Sequence, residues 1–132
     1  MTESDHEILG RILAERGHFG HREHLELAWN LLGSYEREED AQLAAAGALR
    51  HLARQHGMPN RYHETITASW VHLVALHHAA GAGTSFDEFI AANPALLNSR
   101  LLDGHYSRDI LGSGEARAQW VKPDLRAFPA AA

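Results

Sequence analysis

The chain has no cysteine, an absence that removes disulfide frameworks, thiolate metal sites, iron–sulfur clusters and cysteine nucleophiles together. Any metal ion has to be held by histidine, carboxylate or tyrosine. Lysine is almost missing too, Lys122 standing alone. With 12 Lys+Arg against 17 Asp+Glu and a formal net charge of −5, no basic stripe exists to neutralise phosphates, so no nucleic-acid partner is expected. No apolar run approaches the roughly 20 residues that span a bilayer, so no membrane partner is expected either. The first residues, MTESDHEILG, are polar and acidic rather than basic, which points to a cytoplasmic protein. Period-two alternation, internal repeats, a glycine-rich phosphate loop, a nucleophile elbow and an HExxH motif are all lacking.

What is present suits one helical core. At 132 residues, 45% hydrophobic and 22% charged, the chain is long enough for one domain and too short for two stable halves. The patterning predicts an all-α, single-domain helical bundle over 1–132, with about four main helices, short C-terminal helices and an extended tail over 122–132. Ser4 and Glu7 have the capping-box spacing, and a first helix is expected over Asp5 to Arg16, closed by Gly17. A second starts near His21 and ends at Gly33, and a third covers about 38 to 56. Asn60 is positioned to cap a fourth, through Ile66, Trp70 and Val74 to Ala79-Ala80-Gly81, before a GAGTS turn. Ser85 with Glu88, and Asn93 before Pro94, open shorter helices. Trp29, Trp70 and Trp120 are expected in the core.

Histidine is the excess residue, 11 of 132. His21 and His24 are three apart and fall on one helical face, continued by Ala28. His63, Thr67, Trp70, Val74 and His77 form the matching stripe of the fourth helix. Short connections make neighbouring helices antiparallel, so the second and fourth run the same way and their N-terminal ends meet. His21, His24 and His63 are therefore predicted to converge at one end as ligands of one divalent transition metal, zinc, copper or iron. Glu64 is the candidate acid/base or extra ligand, with Tyr62 and Arg22 beside the substrate. Glu23 is expected to point away from the two-histidine face. His72, His77 and His78 form a candidate second cluster at the far end.

The strings FGHREHLELAW, RYHETITASW and NPALLNSRLLDGHYSRDILGSGEARAQWVKPDL resemble a group of small bacterial proteins of unknown function sharing HREHxxxAW and YHETIT-type motifs. The resemblance covers roughly Phe19 to Leu125. It implies a shared constellation of His21, Arg22, His24, Tyr62, His63, Glu64, Thr65, Thr67 and Trp70, with Tyr106, Ser107 and Arg117 added. Accessory enzymes of bacterial specialised metabolism are an analogous context.

Three functions compete at this level. The first is a metal-dependent enzyme that oxidises or hydrolyses a small molecule at the three-histidine site. The second is a metal-free small-ligand binding or acid/base protein that uses the same His/Glu/Arg pocket. The third is a protein-interaction module in which the histidines are structural. A homodimer is compatible with each.

Overall fold

Ser4 opens the first helix through the reciprocal pair its spacing predicts: its Oγ accepts from Glu7 N at 3.1 Å, and Glu7 Oε2 accepts from Ser4 N at 3.3 Å. In the computed structural model, which describes residues 4–78 and 85–129, helix α1 runs Asp5–Arg16 and ends at Gly17 with φ 77°. That left-handed conformation favours glycine, whose missing Cβ removes the clash. Helix α2 is His21–Ser34, α3 Glu38–Gln55, α4 Glu64–His78 and α5 Phe86–Ala92. Two short helices, α6 (Arg108–Leu111) and α7 (Gly114–Ala118), follow, and 3-10 turns occupy Pro59–Arg61, Pro94–Leu97 and Leu101–Gly104. No strand occurs among the described residues. The fold is an all-α, single-domain bundle, and none of its described helices is long and apolar enough to cross a membrane.

Helix α2 lies against α1, α3 and α4, and α3 also packs on α4. Ile8, Ile12, Leu25, Leu31, Val71 and Val74 are among the residues that fill the space between them. Each such side chain contributes about 1.5–3 kcal/mol by leaving water. On α3 the inward positions are Ala41, Ala45, Ala46 and Ala48, whose small size lets its backbone sit close to its neighbours. Phe86 and Phe89 of α5 close the core beside Trp29, with ring centroids 6.2 and 6.5 Å away.

Two expectations are corrected. Asn60 does not cap the fourth helix: Pro59–Arg61 form a 3-10 turn and α4 begins at Glu64. Trp120 is not in the core but 50% exposed, because the chain after α7 runs over the surface, whereas Trp70 is buried. The expected helix end at Ala79-Ala80-Gly81 and the turn through Thr84 lie outside the described residues.

From Gln119 to Pro129 the chain runs without helix across the bundle. Thr65 Oγ1 donates to Gln119 O (3.0 Å) and accepts from Val121 N (3.2 Å), and Tyr106 donates its hydroxyl to Val121 O at 2.6 Å. His105 holds Arg126 O through Nδ1 at 2.8 Å, and Phe128 lies on the His105 ring with centroids 4.4 Å apart. Thr65 and Tyr106 thus fasten this segment to the bundle.

Candidate functional site: a histidine-floored cavity at one end of the bundle

The C-terminal parts of α1 and α3 and the N-terminal parts of α2 and α4 meet around one cavity of about 560 Å³. The alternation of ends is that of an up-down bundle. Leu13, Phe19, Leu49, Leu52 and Ile66 form much of its wall; His24, His63 and Thr67 line its inner part. Gly17, His18, His56, Met58 and Arg61 are exposed and stand at the mouth.

His63 and His24 both reach this cavity, yet only one has anything left to offer. His63 precedes α4, and its Nδ1 accepts the Ile66 backbone N–H at 3.1 Å, doing for the helix what a serine or aspartate cap normally does. An Nδ1 that accepts carries no proton, so Nε2 carries it and donates to Leu111 O at 2.7 Å. Both ring nitrogens are spent. Burial lowers the His63 pKa first of all, opposed by the Leu111 bond and reinforced by the nearby Arg117 charge.

His24 sits on the second turn of α2, and its Nε2 is buried with no partner among the described residues. Burial, and secondarily the proximity of His21, push its pKa down to about 4. The ring is therefore neutral at physiological pH. Phe19 flanks it with centroids 6.4 Å apart.

His21 turns elsewhere. Its Nε2 donates to Leu96 O at 2.8 Å, and its ring meets Trp70 edge-on with centroids 4.4 Å apart, so it ties α2 to the Pro94–Leu97 turn. Of the three expected ligands, only His24 presents an unpartnered buried nitrogen, and His63 has none free. Among the described residues no group of three His, Asp or Glu is arranged to hold a metal ion, His72, His77 and His78 included. Two of the three rings hold backbone carbonyls, His21 that of Leu96 and His63 that of Leu111.

The remaining candidates divide. Tyr62 lines the cavity and donates its hydroxyl to Glu64 Oε1 at 2.5 Å. Its pKa is raised by burial, then by the hydrogen bond and charge of Glu64. Glu64 is not at the histidines: the same Oε1 accepts from Arg50 Nη2 at 3.2 Å, and the Arg50 guanidinium lies 4.9 Å from the Tyr62 ring centroid. Arg22 is on the bundle's outside, bound to Asp87 at 2.8 Å and placed 5.0 Å from the Phe86 ring centroid, where it latches α5 to α2. Buried Glu23 accepts from Gly20 N at 2.8 Å and meets His18 Nε2 at 3.2 Å. Buried Glu26 accepts from Arg16 at 3.1 and 3.4 Å.

Sequence patterning missed Phe19, Leu49, Leu52, His56 and Arg61 as cavity residues. The end of α3 reaches the site only through antiparallel packing, and the available signal was the same one that paired the N-termini of α2 and α4. Comparison of the chain with family models, curated proteins and solved structures gave no match.

Proposed function

We propose that the chain binds a small, largely apolar molecule in this cavity, without a metal ion, through a hydrogen bond to neutral His24. The observation that carries it is the buried, unpartnered His24 Nε2 in an apolar-walled cavity of about 560 Å³. That volume falls within the range of about 300–1,000 Å³ usual for small-molecule sites, which combine apolar walls with a few placed polar groups. A buried imidazole nitrogen without a partner is costly. A ligand hydroxyl both donates and accepts, so it satisfies either tautomer of His24. Thr67 donates to His63 O at 2.9 Å and His63 is committed to Leu111 and Ile66, which leaves His24 to fix the ligand's orientation.

A matched pair of probes tests this. Para-cresol and toluene differ by one hydroxyl, and binding is followed through the methyl resonances of Leu13, Leu49, Leu52 and Ile66. Cresol is expected to bind roughly fivefold more tightly than toluene, the worth of about one net hydrogen bond. His24→Phe keeps an aromatic ring and is expected to erase the difference. Two results overturn the proposal: neither probe moving those methyls, or a cresol preference that survives His24→Phe.

A further inference from the structure

The chain carries 17 acidic residues against 12 basic ones, yet no carboxylate lines the cavity among its described lining residues. Its mouth instead has Arg61, His56 and His18. These are not equivalent. His18 is engaged on both sides, Nδ1 with Arg16 O at 3.1 Å and Nε2 with Glu23 Oε1 at 3.2 Å, so its neighbour cancels any charge it carries. Arg61 meets no carboxylate among the described residues; its Nη1 lies 3.7 Å from Met58 Sδ. Arg16, Arg22, Arg37, Arg50 and Arg100, by contrast, each hold an acid.

Glu64, just behind the wall, is occupied by Tyr62 and Arg50. Helix dipoles leave the balance unaltered, since two N-termini and two C-termini face the cavity and offset one another. The mouth is therefore a cationic rim, with Arg61 its permanent charge, above an apolar shaft and a neutral hydrogen-bonding floor.

We infer that the ligand of this cavity is an amphipathic organic acid, its carboxylate at Arg61 and His56, its apolar body between Phe19, Leu49 and Leu52, and a hydroxyl at His24. The inference rests on the cavity being a small-molecule site and adds the sign of the ligand's charge and its direction of entry. A guanidinium offers a carboxylate two parallel N–H donors, which sets orientation as well as charge.

Three probes with the same hydroxyphenyl body separate the possibilities: para-hydroxyphenylpropionate, its amide, and tyramine, which are anionic, neutral and cationic. Titrations at low salt follow the same cavity methyls. The acid is expected to bind roughly fivefold more tightly than the amide, as suits one solvent-exposed ion pair, and tyramine least tightly. Added salt is expected to shrink that order, since the rim is exposed.

Arg61→Glu is expected to reverse the order in favour of tyramine. Arg37→Glu, which makes the same charge change at the start of α3, is expected to preserve it. Equal binding of acid and amide, preference for tyramine in the unmodified protein, or an order indifferent to Arg61→Glu overturns the inference while leaving the cavity as a small-molecule site. Failure of all three probes to move the cavity methyls overturns both.

Discussion

His63 and His24 stand at the same end of the bundle, line the same cavity and have pKa values lowered first by burial, but the structure uses them in opposite ways. His63 joins three segments: its own backbone precedes α4, its Nδ1 holds the amide of Ile66, and its Nε2 holds the carbonyl of Leu111. His24 joins nothing through Nε2. A buried polar group with every partner in place is part of the architecture, and one without a partner is a standing cost that a ligand can recover. Residue type and cavity are the same at the two positions; hydrogen-bond accounting separates them.

Acid should produce the largest effect and engages both rings. Each folded-state pKa is depressed, so the unfolded chain binds the proton more readily than the folded one. Stability is then fully present above the ordinary histidine value near 6.5 and is lost as pH falls, with the His24 contribution spent once pH reaches about 4. For His24 alone the loss is roughly 3 kcal/mol. Urea unfolding across this range is expected to show it. His24→Phe is expected to flatten much of the slope, and an unchanged slope would mean that His24 is not desolvated.

Truncation should be nearly as severe at His63. His63→Ala removes the cap of α4 and strips the Leu111 carbonyl of its donor, for an expected loss of about 2–3 kcal/mol in urea unfolding. His24→Phe removes a nitrogen that has no protein partner and is expected to change stability by no more than about 1 kcal/mol at neutral pH. Similar losses at the two positions would break the distinction between architecture and site.

Glu64 supplies the smallest effect and sharpens the boundary of the cavity. Glu64→Gln is expected to cost less than about 1 kcal/mol, because the Arg50 pair it loses is partly exposed. The Tyr62 phenol, raised in part by the hydrogen bond and charge of Glu64, is expected to ionise at lower pH in this variant. Phenolate absorbance during alkaline titration reads that shift, and an unmoved midpoint would uncouple the two residues.

Much of the fold was legible because its local signals agree with the packing. The Ser4/Glu7 box, Gly17 and the Ser85 cap each place a helix end by satisfying backbone groups close in sequence, and the acidic first turn of α3 complements the helix dipole. The α4 start was not legible, since a histidine ring serves as the cap and its role depends on Leu111, 48 residues further along. Arg22 misled for a similar reason: adjacency to His21 places it on α2, but Asp87 and Phe86 decide where its guanidinium goes.

The all-α class, most helix boundaries and the end of the bundle where His24 and His63 both appear are written in the order of the residues. Those properties follow from periodicity, capping and short connections, which act within a few turns of the chain. Packing between distant segments settles which histidine nitrogen is free, that Glu64 serves Tyr62 and Arg50, and that Arg61 at the cavity mouth meets no acid among the described residues. Each of those outcomes is a competition for hydrogen-bond partners between segments far apart in sequence, and spacing along one helix carries no record of the winner.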